Sequence, residues 1–429
     1  MIKHSDIIIV GSGAAGLFCA LQLPRDKQIC IITKQAAEES DSFLAQGGIC
    51  VLKSDEDYKS YYEDTMRAGH YENRAESVDI MLRSSRQIID SLIDFGVDFE
   101  KDGDKLRFTK EGGHSDSRIL FHKDVTGREI TSKLLAQVRG RNNISIYEHT
   151  VMLDLLAEDN CCYGVAGRAE NGDIFHMTSD YTVLACGGLG GLYQHSTNFR
   201  HITGDAIAIA LRHGVRLQDI DYIQIHPTTL YSKEPGRRFL ISESVRGEGA
   251  ILLDKDGKRF VDELLPRDLL TAKVREQMRK DKTDFVRLSM LPIPEDTIRA
   301  HFPHIYKRCL EEGFDCTKEP IPVVPAQHYS MGGIWVDKDS HTTMEHLYAV
   351  GETSCNGVHG RNRLASNSLL ESLVFSGRAA KQITAQYACL TRPDAWEEPK
   401  EARESYEDFM LAYHNLVLAE IEQERKKRT

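Results

Sequence analysis

The stretch Asp6-Ile-Ile-Ile-Val-Gly-Ser-Gly-Ala-Ala-Gly16 decides the fold. Residues 7–10 are a short β-branched apolar run, which suits a strand buried on both faces. Gly11, Gly13 and Gly16 follow at G-x-G-x-x-G spacing. Residues 14–23 then read as a helix, with Leu17, Phe18, Ala20 and Leu21 able to pack on a sheet. Strand, glycine turn and helix form the context in which this spacing points to a bound dinucleotide. Gly11 permits the tight turn, Gly13 lets a pyrophosphate approach the backbone, and Gly16 lets helix and strand pack closely. The free N–H groups at the helix start would hold the phosphates. The plainer alternative is a strand-turn-helix whose glycines serve packing only. An acid for the ribose should end the second strand. That strand, residues 28–33, runs instead into Thr33-Lys34, so the ribose contact comes from elsewhere or Lys34 has another task.

A chain of 429 residues exceeds one core, so two or three domains are expected. A net charge of −11 argues against nucleic-acid binding and against an anionic membrane surface. An anionic substrate would have to be drawn in by local Arg and His. No run of about eighteen apolar residues occurs, so no membrane span is expected. The first strand starts almost at the first residue, without a signal-peptide pattern, which makes the cytoplasm the default. The ten cysteines are scattered with no C-x-x-C pair, as for reduced thiols, and no metal site is expected.

Further along, a polar loop at residues 39–49 ends in Gln46-Gly47-Gly48, which could bring backbone amides close to a flat ring. Residues 55–69, 74–96 and 126–138 read as helices, and Gly127-Arg128 could face an anion. Glu111-Gly-Gly-His-Ser115 is a glycine loop with a carboxylate and an imidazole, and such loops are commonly plain turns. Residues 144–147 and 150–156 look like strands, and residues 180–188 repeat the opening logic of a strand ending in glycines. Asp205 falls in the first turn of a helix, where it either complements the dipole or reaches a cofactor hydroxyl. From Asp219 the composition changes, and polar blocks follow at 224–230 and 241–250. Arg267 follows Pro266 at a helix start, an unfavourable place for a cation that hints at an anionic partner. Arg363 precedes a Ser/Asn cluster placed to cap a helix over residues 369–387. Residues 391–399 read as a linker, and residues 406–427 as a helix whose basic end answers its own dipole.

Taken in order, these blocks resemble the flavoprotein family of succinate dehydrogenase, fumarate reductase and L-aspartate oxidase. The resemblance runs from Asp6 to about Ala380 and rests on a combination of blocks. These are Gly-Ser-Gly-Ala-Ala-Gly, Ala-Gln-Gly-Gly-Ile, His-Pro-Thr, Arg-Gly-Glu-Gly, Pro-Arg-Asp, His-Tyr-x-Met-Gly-Gly, Val-Gly-Glu and Ala-Ser-Asn-Ser-Leu-Leu-Glu. It implies an α/β fold: a Rossmann-like FAD-binding domain interrupted by an α+β capping domain, with a short helical C-terminal segment. The implied boundaries are 1–219 with 330–390 for the FAD domain, 220–329 for the cap and 391–429 for the remainder. Relatives usually continue for about a hundred residues of helical bundle, of which this chain has roughly one helix.

Two positions separate the family's branches. Members that attach FAD covalently use a His where this chain has Asp41, so the resemblance implies non-covalent FAD. Glu111 matches a carboxylate that marks the aspartate-oxidising branch, where it can pair with the substrate ammonium. That branch converts L-aspartate to iminoaspartate with fumarate or O2 as acceptor and passes the product toward quinolinate, with quinolinate synthase as a candidate partner. The competing implications are a soluble fumarate reductase, an FAD-dependent dehydrogenase of another amino or hydroxy acid, and a non-enzymatic flavin-binding module.

By motif, the FAD contacts fall on Gly11, Ser12, Gly13, Ala14, Ala15, Gly16, Lys34, Ser42, Ala45, Gln46, Gly47, Asp205, Glu352, Ser368 and Leu369. The substrate contacts fall on Glu111, His226, Ser242, His328 and Arg363. Arg267 matches the family's proton shuttle, with Glu243 and Arg246 completing the relay. Arg is normally always charged, so a purely electrostatic role for Arg267 stays open beside it.

Overall fold

A computed structural model describes residues 4–391 except 235, residues 393 and 396, and residues 405–428. The opening apolar run is the strand His4–Val10, at the centre of a seven-stranded sheet. It pairs in parallel with Ile29–Ile32 on one side and Ile174–Leu184 on the other. Ile144–Tyr147 and Leu347–Ala349 continue the parallel set outward. The strand Ile174–Leu184 is long enough to serve two partners along one edge. Residues 174–178 pair with the antiparallel strand Cys161–Arg168, and residues 182–184 with Leu347–Ala349. Val151–Glu158 closes the antiparallel side.

Side chains on a strand alternate between faces, and the opening run uses both. Ile7 and Ile9 enter a core shared with the helices Ala14–Gln22, Thr126–Arg139 and Asn367–Ala385. Ile8 and Val10 enter a second core with the helices Asp205–Arg212 and Tyr406–Arg428. Both faces are therefore dry, which accounts for the unbroken apolar run.

The glycine turn is sterically fixed. Gly11 has φ +117°, and a Cβ there would lie 2.1 Å from the Ala185 carbonyl oxygen. A Cβ on Gly16 would lie 2.2 Å from the Gly11 carbonyl oxygen. Neither neighbour can yield, because both are backbone. Gly11→Ala should lower stability by on the order of 3 kcal/mol or more, read as a drop in the urea midpoint with an unchanged slope.

A second, antiparallel sheet runs in the order Ile223–Leu230, Ile321–Ser330, Val286–Ser289, Ile251–Leu253. The helices Arg267–Asp281, Glu295–His301 and Pro303–Glu311 accompany it, and a separate core including Leu252, Leu270, Ile305 and Val323 lies within this stretch. The register slips between His226 and Thr229. Pro227 lies in that irregularity, where its missing donor breaks no ladder bond. A three-stranded sheet of Leu217–Gln218, Gly333–Trp335 and Ser354–Cys355 marks where the chain passes into and out of this region.

The helix Tyr406–Arg428 buries Phe409, Met410, Tyr413, Val417 and Ile421. Its basic end does more than answer a dipole. Arg428 forms ion pairs with Asp219 (2.6 Å) and Asp221 (3.1 Å) and lies over the Tyr222 ring. Most of the expected 391–399 linker lies outside the described residues. All ten cysteines are free thiols, and among the described residues no helix is long and apolar enough to cross a membrane.

Candidate active site

The carboxyl ends of the parallel strands open into a cleft of about 210 Å³ that runs from the glycine turn to the second sheet. Ligands of open α/β sheets bind at this end of the strands. At the turn, Gly11, Ser12, Gly13 and Ala15 line the cleft. Ala14 and Gly16, expected as contacts, do not. The Ala14 N–H donates to Ser42 Oγ (3.1 Å), and Gly16 is taken up by the helix–strand approach. Ser12 Oγ donates to Thr33 Oγ1 (3.0 Å) at the end of the second strand.

Lys34 does have another task. Its Nζ forms an ion pair with Asp205 Oδ2 at 2.7 Å and also reaches Thr203 Oγ1 and the His201 carbonyl oxygen, each at 3.1 Å. The pair sits on the cleft wall and fixes the acid at the helix start. Glu39 lines the same cleft and is a second acid on its wall. Gly127-Arg128 does not line it. The Gly127 N–H is spent on the Ala45 carbonyl oxygen, and Arg128 is exposed.

The middle of the cleft is walled by Ser42, Ala45, Gln46, Gly47, Glu352, Ser368 and Leu369, all expected, and by Ser40 and Asp41. Asp41 Oδ1 accepts the Phe199 N–H (2.8 Å), whereas Asp41 Oδ2 and Gln46 Oε1 are buried with no partner. Burial pushes the Asp41 carboxyl up to about 7 against the pull of the Phe199 N–H and Arg237. Burial, and next the Asp41 charge, push Glu352 up to about 8. Buried polar atoms without partners are costly. Their position on the wall of a long glycine-lined cleft suits a ligand with a polar edge and a phosphate arm, as FAD has.

At the far end the charged groups converge. Pro266 precedes the helix Arg267–Asp281, so Arg267 stands at its first position as expected. Arg267 Nε donates to Glu243 Oε2 (2.6 Å), and its Nη1 donates to Gln224 Oε1 (2.8 Å). Gln224 in turn donates to Asn362 Oδ1 (2.9 Å) and to the Arg363 carbonyl oxygen (2.8 Å). It thereby ties Arg267 to the loop that carries Arg363. Sequence reasoning missed Gln224, although its place two residues before His226 on one strand was a usable signal.

Arg246 does not line the cleft. It is fully buried behind Glu243, at 3.6 Å from Oε2, and its Nη1 donates to the Glu263 carbonyl oxygen (2.5 Å). Burial would raise the Glu243 carboxyl, but the charges of Arg267 and Arg246 outweigh it and hold the group below its ordinary value.

Glu111 is buried in the cleft, so its glycine loop is more than a turn. Its Oε1 accepts Ser244 Oγ (2.6 Å) and its Oε2 accepts Ser366 Oγ (2.5 Å). Burial, and next the Glu243 charge, raise its carboxyl above the ordinary value. The Ser366 hydroxyl is thus taken by Glu111 rather than by a cap, and Ser366 itself is left-handed (φ 60°) with no side-chain cap bond. Ser242 caps the helix Glu243–Gly247 by accepting the Ser244 N–H (3.2 Å), so its hydroxyl is largely committed, although it still faces the cleft.

Arg363 lies over the Tyr329 ring (4.3 Å), and its Nη1 donates to Ser368 Oγ (2.7 Å), while its buried Nε has no partner. Burial, and next the Arg267 charge, lower it to about 10, which leaves it charged at neutral pH. His226 and His328 stand with ring centroids 5.1 Å apart. His226 Nδ1 lies 3.0 Å from the Thr228 carbonyl oxygen and 3.2 Å from the Thr228 N–H, its buried Nε2 has no partner, and His328 Nδ1 shares a 2.7 Å hydrogen bond with Thr197. Burial, and next the Arg267 charge, hold both imidazoles well below their ordinary value. They serve as neutral hydrogen-bonding groups, not as the cations that would attract an anion. The site therefore joins two fixed guanidiniums, two carboxylates and two neutral imidazoles around one space.

The sequence matches the family described as "FAD binding domain" over residues 6–369. Two L-aspartate oxidases are similar to the chain. The one from Clostridium perfringens is 50% identical over 386 residues, covering 90% of this chain and 88% of its own length. The one from Clostridium acetobutylicum is 48% identical over 391 residues, 91% of this chain and 90% of its own length. These two relatives extend little beyond the matched stretch. A solved quinol-fumarate reductase with menaquinol molecules superposes with a TM-score of 0.86 at 30% identity, covering 100% of this chain and 76% of that one.

Proposed function

We propose the function from a fixed premise: this chain belongs to the FAD-binding flavoprotein family that includes fumarate reductase and L-aspartate oxidase. It is a flavin-dependent oxidoreductase that oxidises L-aspartate to iminoaspartate in NAD biosynthesis. The observation that carries the choice of substrate is Glu111. A dicarboxylate alone would want only the Arg and His groups, whereas a buried carboxylate among them matches a substrate ammonium.

When bound, FAD supplies the two-electron acceptor. The glycine turn and Ala15 in the first turn of the helix Ala14–Gln22 would hold its phosphates, and the wall from Asp41 to Gly47 would line the rest. Asp41 offers no imidazole nitrogen for a covalent link, so the cofactor is held non-covalently. Arg363, with its free Nε, orients one substrate carboxylate by a forked pair of hydrogen bonds. His226 and His328 stand beside the other as neutral hydrogen-bonding groups. Glu111 holds the ammonium and so sets C2 in place. The C2–H bond breaks with its electron pair, and the nitrogen releases a proton to the Arg267–Glu243 pair. Holding the reacting groups in one geometry supplies much of the rate.

We further propose that residues 1–219 and 330–390 form the cofactor-binding unit and residues 220–329 the cap. The separate core of the second sheet supports this division. The enzyme works in the cytoplasm, with fumarate or O2 as acceptor, and passes its unstable product to quinolinate synthase. The test is anaerobic mixing of the FAD-loaded protein with L-aspartate, and in parallel with succinate, followed at about 450 nm where oxidised flavins absorb. Bleaching by aspartate alone is the expected result. Bleaching by succinate alone would make the protein a soluble fumarate reductase. Failure of both would leave a flavin-binding module or another substrate.

A further inference from the structure

Glu111 and Arg363 meet in the site from loops far apart in the chain. One tie between these loops is the Ser366 hydroxyl on Glu111 Oε2 (2.5 Å). Another is made by His114, whose Nε2 lies 3.0 Å from the Ala365 carbonyl oxygen. The other ring nitrogen decides where the proton sits. Arg118 Nη1 lies 3.0 Å from His114 Nδ1, and a guanidinium only donates. Nδ1 is therefore the acceptor, and Nε2 carries the hydrogen that Ala365 receives. Arg118 has no exposed surface and is held by Asp57 Oδ1 (3.0 Å) and Asp64 Oδ2 (2.7 Å). Asp64 Oδ2 also accepts the Ser115 N–H and hydroxyl, each at 2.7 Å, which pins the loop beside the ring. Burial, and next the Arg118 charge, bring His114 down to about 4, so the imidazole is neutral near pH 7.

The Ala365 carbonyl belongs to the peptide that precedes Ser366. Ser366 has φ 60°, a left-handed conformation that a residue with a side chain keeps only when its surroundings impose it. The peptide after Ser366 is held by the Cys50 N–H on its carbonyl oxygen (3.1 Å), and the peptide before it by His114. Cys50 Sγ also stands 3.5 Å from the Ala365 oxygen, but a thiol is a weak donor. Held on both sides, Ser366 directs its hydroxyl at Glu111.

We propose that His114 is a positioning residue for the substrate ammonium: it fixes the Ala365–Ser366 peptide, and so keeps the Ser366 hydroxyl on Glu111 and the carboxylate facing the substrate. The inference rests on the reading of Glu111 as the ammonium partner. His114 itself does not line the cleft. Around Glu111, the Glu243 charge raises its carboxyl, while Arg267 and the Ser244 and Ser366 hydroxyls lower it. Arg246 and the Cys50 thiol also feel its charge. Loss of the Ser366 hydrogen bond therefore moves Glu111 further up.

His114→Asn and His114→Gln separate the two ends of the ring. The Asn amide reaches the place of Nδ1 and can accept from Arg118, but it stops short of Ala365. The Gln amide reaches the place of Nε2 and can donate to Ala365. In the FAD-loaded protein, His114→Asn should raise KM for aspartate about tenfold. The limiting rate of flavin reduction, and the Kd of succinate read from the flavin spectrum, should stay within about twofold. The acid climb of KM should shift toward neutral pH by about half a unit or more. His114→Gln should restore KM and its pH profile. An unmoved KM, a succinate Kd that moves with it, or a Gln variant as impaired as the Asn variant overturns the proposal. Two readouts stand apart from the substrate. A crystal structure of His114→Asn should show the Ser366 hydroxyl off Glu111, and a hydroxyl still in place overturns the proposal. Nitrogen NMR of the parent should show His114 neutral with its proton on Nε2, and a proton on Nδ1 overturns it as well, even if His114→Asn does not fold. Glu111→Gln measured alongside tells the failures apart. If it too leaves KM for aspartate unmoved, the ammonium reading falls, and these two readouts decide the role of His114 in holding Ser366.

Discussion

Arg267→Ala lowers the rate of flavin reduction by aspartate at least about a thousandfold, in the range lost with a positioned proton-transfer group. FAD remains bound, because the side chain sits at the far end of the cleft from the glycine turn. Arg267→Lys recovers little. A single ammonium cannot hold both Glu243 at 2.6 Å and Gln224 at 2.8 Å as the guanidinium fork does. Two further changes follow from the electrostatics. Glu243 loses the foremost charge that offsets its burial, so its carboxyl rises. His226 and His328 lose the charge that most strongly opposes their protonation, so their values rise too. Single-turnover kinetics separates chemistry from binding. A loss confined to KM, with the limiting rate kept, would make Arg267 a binding residue only.

Glu111→Gln has the second largest effect, and it falls on one substrate. Exchanging a charge-assisted contact to an ammonium for a neutral one costs about 1.5–3 kcal/mol, which is between about ten- and a hundredfold in KM for aspartate. Fumarate and succinate, which carry no ammonium, should keep their KM. Equal losses on both would remove the ammonium partner. The pH dependence has a definite sign. Glu111 is raised above its ordinary value by burial and by Glu243. The carboxylate that binds the ammonium is present above this raised value and lost as pH falls through it. KM for aspartate should therefore climb toward acid in the parent, and the climb should be absent in the Gln variant.

What could be read from the sequence was local. The strand, the glycine turn and the helix lie within twenty residues and announce themselves by spacing, and Pro266 before Arg267 does the same for a helix start. What could not be read depends on partners far apart in the chain. Ser366 reaches Glu111 across 255 residues and Ser244 reaches it across 133. No local signal distinguishes a serine that caps from one that holds a distant carboxylate. The same limit applied to Lys34, whose partner Asp205 lies 171 residues on. Arg246 stands beside Glu243 at 3.6 Å, as a relay neighbour would, but its full burial was not legible. It lies one turn from Glu243 on the helix Glu243–Gly247, and the sequence does not reveal that the next layer of chain seals it in.

The position of the opening strand has a consequence during synthesis. His4–Val10 leaves the ribosome well before Ile174–Leu184, one of the two strands between which it lies. At about 5–20 residues per second, its second neighbour follows on the order of ten seconds or more later. Through that interval an isoleucine-rich strand has one bare edge, the kind of template on which chains join one another. Yield in a foreign host should then depend less on how stable the finished protein is than on how well this edge is shielded while the rest of the sheet is still being made.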